Sequence, residues 1–391
     1  MAHGGEGIAL LDDGRVAFIA GAIPGDTVTA GITASKKRWA RAQLAEVLEA
    51  SPVRVEHTCP AAAAGAGCCD FSHIDPKAQL GIKTDVLRGQ LRSLAGEGEG
   101  ALPQLEAVAL PPALHWRTRV RLGVDGQGRA GVRRARSGDV VASAACTQPV
   151  DGLMDDLPRF RPGGEVVVVV DSTGERHVVE TARAKRGTRV EAIDTVVEGS
   201  GEVTQEVATF TGTSTFRFPA TAFWQAHVAA PNAYARVIEQ WGAKAGGYQS
   251  GVAWDLYGGV GAFVPAIHRA TGGARVITVD YSPAATNGAQ PALAGLDVEV
   301  VAGRVEKGVD KLEAPGLVVL DPPRTGAGAQ VIAGIAAKAP ERVIHIGCDP
   351  ATFARDVASW RERGYTLRRL GLIDAFPNTH HFETIAVLEP Q

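Results

Sequence analysis

One cysteine of this sequence stands where a nucleophile would be useful. Cys348 ends the apolar run RVIHIG, a predicted strand, and the segment DPATFARD that follows is typical of a helix. At the start of a helix the macrodipole lowers the pKa of a thiol, and the thiolate is the nucleophilic form. The sequence therefore predicts a reactive thiolate at Cys348, with a small buried core residue as the alternative.

A glycine-rich turn follows another predicted strand. The segment DLYGGVG, residues 255–261, leads into the helical run AFVPAIHRA. Glycine lets the backbone approach a ligand closely, and a helix N-terminus favours polar or negative groups. Asp280 ends the next strand about 20 residues on, where a carboxylate can accept both ribose hydroxyls of an adenosine-containing cofactor. The alternative for Asp280 is a surface acid at the end of a strand.

Two further polar turns follow near the C-terminus. Asp321-Pro322-Pro323-Arg324 comes after the buried run LVVL. Its two prolines fix the backbone and remove two N–H donors, so this loop could clamp a planar base or be a plain tight turn. The segment 374–383, DAFPNTHHFE, combines aromatic residues, two histidines and a carboxylate. Because no third ligand joins the histidines at metal-site spacing, a metal site there is not expected.

Alternating strands and helices must position these turns. After Thr209 the sequence repeats strand, glycine-rich turn and helix. This pattern predicts parallel βαβ units in a doubly wound, Rossmann-like α/β domain over residues 206–391, with ligands at the carboxyl ends of the strands. Residues 1–50 show short β-like runs between turn residues, typical of a small OB-like β-barrel. Residues 51–205 indicate a central β-rich domain with a cysteine segment and a Gly/Glu linker ending near residue 100.

The composition narrows the class of protein. The 391 residues are 45% hydrophobic and 21% charged, with a net charge of −3. These values fit two or three globular domains and argue against a uniformly basic nucleic-acid binder. Since no apolar run approaches the roughly 20 residues of a membrane span, and the start lacks a secretory signal, we expect a cytoplasmic protein without a membrane partner. Its five cysteines are then thiols or metal ligands.

Two basic clusters stand out against this balance. Lys36, Lys37, Arg38 and Arg41 surround Trp39, and seven arginines lie within the segment 117–136. Basic side chains beside an aromatic ring suit a phosphate backbone and a stacked base. RNA is therefore a candidate partner, and a solvated charged strand face is the alternative.

Together these motifs resemble those of the RNA 5-methyluridine methyltransferases, the uracil-C5 family whose members act on tRNA and ribosomal RNA. The N-terminal barrel resembles a TRAM domain. Residues 59–83 are similar to the family's cysteine segment, with Gln79 and Lys83 among the matches, and FRFPATAFWQ is similar to its glutamine motif. The motifs DLYGGVG, DPPRTG, IGCDPATFARD and DAFPNTHHFET follow in the family's order, so the resemblance covers nearly the whole chain.

The resemblance implies S-adenosylmethionine as methyl donor. The positions that match the family's donor-binding residues are Gln225, Tyr257, Asp280 and Asp321. Cys348 matches the nucleophile, whose thiolate adds to C6 of uracil so that C5 can attack the methyl group. Glu383 matches the general base that then removes the C5 proton. The resemblance further implies a flipped-out uridine of tRNA or rRNA as target, and we expect a monomer.

The sequence departs from the family pattern at three places. Gly258 replaces a cysteine, a change expected to be harmless, and Arg304 stands where an Asp or Asn commonly approaches the adenine. Many members bind a [4Fe–4S] cluster, and Cys59, Cys69 and Cys146 match three of its ligands, with Cys68 as a candidate substitute for the fourth. Because Ala66 occupies one ligand position and adjacent cysteines rarely both reach one cluster, the sequence predicts a degenerate or absent cluster.

Three other functions remain as alternatives. A cytosine-C5 methyltransferase would use the same thiolate addition. A non-catalytic RNA-binding or chaperone protein on this scaffold would not need Cys348 and Glu383, and both are present. An iron–sulfur electron-transfer protein would need an intact cysteine spacing, which this sequence lacks.

Overall fold

The computed structural model describes residues 1–96, 102–186, 189–286 and 288–391, without the side chains of 183–192, 284 and 285. The Gly/Glu linker expected near residue 100 falls largely on 97–101, outside the described residues. Within the described parts, no helix is long and apolar enough to cross a membrane.

The N-terminal module is one four-stranded sheet. Its strands are β1 (Gly7–Leu10), β2 (Val16–Ala20), β3 (Thr27–Ser35) and β4 (Trp39–Glu49), in the order β1-β2-β4-β3. Alternate side chains of β2 are buried, as expected for a sheet with one covered face. A small apolar core of alanines and Ile19 forms beneath them.

The middle of the chain contributes two helices, a large antiparallel sheet and a hairpin. The elements are α1 (Pro60–Ala63), α2 (Pro76–Ala95), β5 (Leu105–Ala109), β6 (Arg119–Val124), β7 (Ala130–Arg133), β8 (Val140–Val141), β9 (Glu165–Val170), β10 (Arg176–Arg186), β11 (Arg189–Glu198), β12 (Glu202–Ala208) and β13 (Thr213–Pro219). Six of the strands form a sheet in the order β11-β10-β9-β6-β7-β8, which confirms the β-rich central region.

The C-terminal part alternates helices and strands. Its elements are α3 (Ala230–Gly242), β14 (Val252–Leu256), α4 (Val264–Ala270), β15 (Arg275–Asp280), α5 (Pro283–Thr286), β16 (Val298–Ala302), α6 (Val305–Gly308), β17 (Leu317–Leu320), α7 (Gly328–Ala336), β18 (Arg342–Gly347), α8 (Pro350–Glu362), β19 (Tyr365–Asp374) and β20 (Glu383–Pro390), with 3₁₀ turns at Pro291–Leu293 and Val309–Lys311.

These strands form one sheet of eight, in the order β16-β15-β14-β17-β18-β20-β19-β5. The pairs from β16 to β18 are parallel, and β20 is antiparallel to both of its neighbours. Every residue of β14 and β17 is buried, because apolar cores cover both faces of the sheet. The predicted doubly wound α/β fold is confirmed.

Two contacts cross the predicted domain boundaries. β5 belongs to the C-terminal sheet, where it pairs with β19, although it precedes the central sheet in sequence. Residue 205, drawn as the end of the central domain, lies inside β12, and the β12–β13 hairpin packs on the C-terminal core through Val203, Val207, Phe216 and Phe218. The division into three domains stays a prediction.

Candidate active site

Three polar residues meet at the carboxyl edge of the large sheet. Asp321 directly follows β17, Cys348 directly follows β18, and Glu383 begins β20. The strand register brings them together, since Leu320 pairs with His345 and Gly347 pairs with Thr384. The carboxyl ends of parallel strands are where such folds bind ligands.

The thiol of Cys348 is held in its protonated form in the ligand-free protein. Burial raises the pKa of Cys348 to about 12, and the carboxylates of Glu383 and Asp321 add to the effect. The sequence predicted a lowered pKa from the start of α8, and this prediction is wrong. Asp349 caps that helix by accepting the N–H groups of Ala351 and Thr352, so they are not available to a thiolate.

The two neighbouring carboxyl groups also resist ionisation. Burial raises the pKa of Asp321 to about 7. It raises that of Glu383 well above the ordinary range, and the nearby Asp321 carboxylate raises it further. Only 6% of Glu383 is exposed, and its Oε2 atom has no hydrogen-bond partner among the described residues. A buried carboxyl group with a raised pKa is a stronger base than a free one, which suits it to accept a proton from a substrate.

The glycine-rich turn after β14 is fixed from the next strand. Asp280 accepts the N–H of Gly259 at 3.0 Å through one carboxylate oxygen and that of Ser282 at 2.7 Å through the other. Tyr257 has a φ of 61°, which turns the chain sharply, and its hydroxyl donates to Glu306 Oε1 at 3.2 Å. Tyr257 and Asp280 therefore lie at the same edge of adjacent strands, as the predicted donor site requires.

Glycine at position 258 has a local steric reason. A Cβ atom there would overlap Asp255 Oδ2 and Thr278 Oγ1, which hydrogen-bond each other at 3.0 Å. The side chains of Asp255 and Thr278 occupy the space under the turn. Burial there raises the pKa of Asp255 to about 7. The neighbours of residue 258 in this chain therefore leave no room for the cysteine that the resemblance led us to expect there.

Two predicted positions are not joined to this group by any contact among the described residues. Gln225 lines a small cavity of about 60 Å³ with Trp224 and His227, beside α3. Arg304 precedes α6 and places its guanidinium 5.9 Å from the centre of the Tyr281 ring. The structure therefore brings Tyr257, Asp280, Asp321, Cys348 and Glu383 to one edge, while the role of Gln225 stays a prediction.

A buried clamp holds the loop that precedes Glu383. Lys83 of α2 is 1% exposed and donates to Asp374 Oδ1 at 2.6 Å and to the carbonyl of Phe376 at 3.1 Å. Gln79, one turn earlier, exchanges two hydrogen bonds with Asn378. The sequence linked Gln79 and Lys83 only to the family's cysteine segment, and the structure shows that they anchor the loop before Glu383.

Loss of this clamp should cost stability. Lys83→Met would leave Asp374 as an uncompensated buried charge, so we expect a loss of about 3–5 kcal/mol in the free energy of unfolding. Urea denaturation would measure it, with Lys77→Met on the exposed face of the same helix as control. Adding Asp374→Asn to the Lys83→Met variant removes the unpaired charge and should recover part of the lost stability. Equal losses of unfolding free energy in Lys83→Met and Lys77→Met would contradict the clamp.

The histidines of the same loop form polar contacts. His380 hydrogen-bonds Asp70 through its ring and its backbone N–H. Burial, His380 and Arg324 lower the pKa of His381 to about 3. The ring of His381 lies 3.5 Å from the Arg324 guanidinium, measured between Nε2 and Nη2. This contact brings Arg324 of the proline loop beside the loop that precedes Glu383.

Sequence reasoning missed one residue near the site. Tyr234 on α3 is 1% exposed and its hydroxyl has no partner among the described residues. Burial raises the pKa of Tyr234, and the charges of Glu383, Asp321 and Cys348 raise it further. The available signal was a single hydroxyl in the otherwise apolar stripe of α3, and such a stripe is normally assigned to the core.

The cysteines of the middle region form a separate group. The Sγ atoms of Cys59, Cys68, Cys69 and Cys146 all lie within 4.8 Å of one another. The sequence argument that adjacent Cys68 and Cys69 would not both reach one centre is therefore wrong, because the turn between α1 and α2 directs both side chains inward. Four converging thiols are a suitable donor set for a thiophilic metal.

Comparison with known proteins identifies the family. The sequence model of the tRNA (Uracil-5-)-methyltransferase family matches residues 309–391, and that of the TRAM domain matches residues 2–45. An RNA methyltransferase of Corynebacterium glutamicum is 50% identical over 99% of this chain and 94% of its own length. A 23S rRNA (uracil(1939)-C(5))-methyltransferase of a Shewanella species is 30% identical over 99% of this chain and 93% of its own.

The fold of this chain is also similar to that of a solved methyltransferase structure. The crystal structure of Pyrococcus abyssi tRNA (uracil-54, C5)-methyltransferase, in complex with S-adenosyl-L-homocysteine, superposes with a TM-score of 0.70. The match covers 98% of this chain and 100% of that one, at 18% identity. With its N-terminal TRAM domain, its Rossmann-like sheet and relatives along its whole length, this chain belongs to the S-adenosylmethionine-dependent RNA uracil-C5 methyltransferases.

Proposed function

We propose that this enzyme methylates C5 of a uridine in ribosomal RNA through a covalent bond between Cys348 and C6 of the base. The observation that carries the proposal is the meeting of Cys348, Glu383 and Asp321 at the carboxyl edge of the sheet. A nucleophile, a base and an acidic residue beside the donor turn are the groups that this reaction needs.

The reaction begins when the thiol proton of Cys348 passes to solvent. The thiolate adds to C6 of uracil and the C5–C6 double bond becomes an enolate. C5 then takes the methyl group that the donor would supply, the S–CH3 bond breaks, and neutral S-adenosylhomocysteine leaves. Tyr257 and Asp280 would hold the donor at this edge of the sheet, and its positive charge would favour the thiolate of Cys348 over the thiol. That charge would offset part of the effect of burial on the pKa of Cys348.

Glu383 completes the reaction. The C5 proton passes to the Glu383 carboxylate, the C5–C6 double bond re-forms, and the Cys348 sulfur leaves C6. The Oε2 atom of Glu383 has no hydrogen bond to the described residues, which suits it to receive that proton. Its strongly raised pKa makes the transfer favourable.

The choice of ribosomal RNA rests on the relatives. The Shewanella enzyme aligned over 99% of this chain is named for 23S rRNA, whereas the tRNA enzyme is similar in fold at 18% identity. Incubating the protein with 23S rRNA and tRNA transcripts and labelled donor, followed by nucleoside analysis, tests the proposal. We expect 5-methyluridine in rRNA. 5-Methyluridine found in tRNA alone would refute ribosomal RNA as the substrate. 5-Methylcytidine would refute uridine as the methylated base.

Activity should rise with pH. Since the pKa of Cys348 lies near 12, the thiolate fraction grows about tenfold per pH unit through the neutral range. Asp321 and Glu383 also lose protons as pH rises, and the ionised form of Glu383 is the base. Single-turnover rates measured between about pH 6 and pH 9 should therefore increase steadily. A rate that falls above neutral pH would contradict the thiolate step.

The two basic clusters are linked through Glu6, and their proximity supports RNA as partner. Glu6 contacts Arg136 at 2.8 Å and Arg41 at 3.8 Å, so it joins the N-terminal cluster to the arginine segment. A cavity of about 350 Å³ opens beside it, and its arginines are Arg117, Arg121, Arg133, Arg134 and Arg136. No acidic residue belongs to its described lining.

Removing charge from this face should weaken RNA binding in a salt-dependent way. Replacing exposed Lys36, Lys37 and Arg134 with glutamine should flatten the plot of log affinity against log salt by about one unit for each phosphate-binding charge removed. Filter binding at several salt concentrations measures the slope. Arg363→Gln, at the opposite end of α8 from Cys348, is the control. An unchanged slope in the triple variant would show that both clusters are solvated surface that does not bind RNA.

A further inference from the structure

Four thiols from three separate segments converge in the middle region. Cys59 precedes α1, Cys68 and Cys69 follow it, and Cys146 comes after β8. Cys59 and Cys69 are completely buried. The Sγ atom of Cys146 lies 3.4 Å from that of Cys68 and 3.8 Å from that of Cys69. These sulfur atoms, brought together across nearly 80 positions of sequence, form one compact donor set.

The spacing discriminates between the metals that four thiolates can bind. In a tetrahedral zinc site each Zn–S bond is ~2.3 Å, so the sulfurs lie about 3.8 Å apart. In a [4Fe–4S] cluster each thiolate binds a different iron of the cube, which spreads the sulfurs to roughly 6 Å. All four Sγ atoms here lie within 4.8 Å of one another. The group is too compact for the cluster and has the size of a single-ion site.

The surroundings suit a negatively charged centre. Arg117 donates to Gln148 Oε1 at 2.9 Å and lines the same cavity as Cys68 and Cys146. Zinc with four thiolates carries a net charge of about −2, so the positive guanidinium of Arg117 stabilises it.

We propose that this chain binds one zinc ion through Cys59, Cys68, Cys69 and Cys146, rather than the [4Fe–4S] cluster that the resemblance implied for this position. The ion ties the segment 59–69 to the central sheet and forms one wall of the arginine-lined cavity. It takes no part in methyl transfer, since Cys348 is not among its ligands. The proposal is independent of the proposed reaction.

Metal content of the full-length protein tests it. Cells grown with equal supplies of iron and zinc, and anaerobic purification without chelators or a histidine tag, give a sample for elemental analysis. We expect about one zinc per chain and little iron. About four irons per chain with acid-labile sulfide and broad visible absorption would overturn the proposal, as would a single iron, or four freely titrating thiols without metal.

Cobalt exchange and cysteine variants test the ligand set. Replacing zinc with Co²⁺ should give the visible bands of tetrahedral cobalt and intense sulfur-to-cobalt charge-transfer absorption in the near ultraviolet. Cys68→Ser and Cys59→Ser should each lose most of the metal, while Cys348→Ala retains it. The cobalt spectrum of the unaltered protein decides even if these variants fold poorly. An absent charge-transfer band, or full zinc content in both serine variants, would overturn the assignment.

Discussion

Cys348→Ala is expected to lose methyl transfer by at least about 10⁴-fold, the scale seen when an enzyme nucleophile is removed. Without the thiolate, uracil C5 has too little electron density to attack a methyl group. Donor affinity should change little, because Tyr257 and Asp280 lie on the β14 and β15 side of the sheet. Single-turnover assays with labelled donor, together with calorimetric titration of the donor, separate the two effects.

Two further variants sharpen this result. Cys348→Ser keeps the size of the side chain but presents a hydroxyl, a far weaker nucleophile, and should be as inactive as the alanine variant. Ser359→Ala, on the same helix α8, should retain normal turnover. Measurable multiple turnover by either Cys348 variant would refute covalent catalysis by this residue.

Glu383→Gln is expected to fail at a later step than Cys348→Ala. Thiolate addition and methylation do not need the Glu383 carboxylate, but elimination requires removal of the C5 proton. The enzyme should therefore stay joined to the methylated RNA. A slow-migrating band in denaturing electrophoresis, carrying label from the donor methyl group, would report the adduct, and the band should vanish when Cys348 is also replaced.

A structural role for Glu383 predicts different behaviour. Its pKa is raised in the folded protein, so its ionisation costs stability as pH rises through the folded pKa. Glutamine cannot ionise, and Glu383→Gln should be at least as stable as the unaltered protein at pH 8. If Glu383 instead only caps strand β20, the Glu383→Gln variant should lose stability and form no labelled adduct. His381 is a poor substitute base, because its pKa is about 3.

The functional turns are largely visible in the sequence. Asp280, Asp321 and Cys348 each follow a predominantly apolar run, VITV, LVVL and VIHIG respectively, and parallel sheets place such positions at one edge. The order of the motifs resembles that of the family, and this resemblance predicted Glu383 and the donor-binding positions. What the sequence pattern misjudged was the charge state of Cys348, because the helix start that would have lowered its pKa is capped by Asp349.

The sequence by itself determined the chemical types of the reacting residues, their places at the ends of strands and the α/β class, since these depend on local periodicity and composition. Only the tertiary structure decided which distant residues meet. Lys83 reaches Asp374 across 291 positions, and Cys68 reaches Cys146 across 78. The raised pKa values have the same origin, because desolvation depends on every segment packed around a group, and no local pattern records that packing.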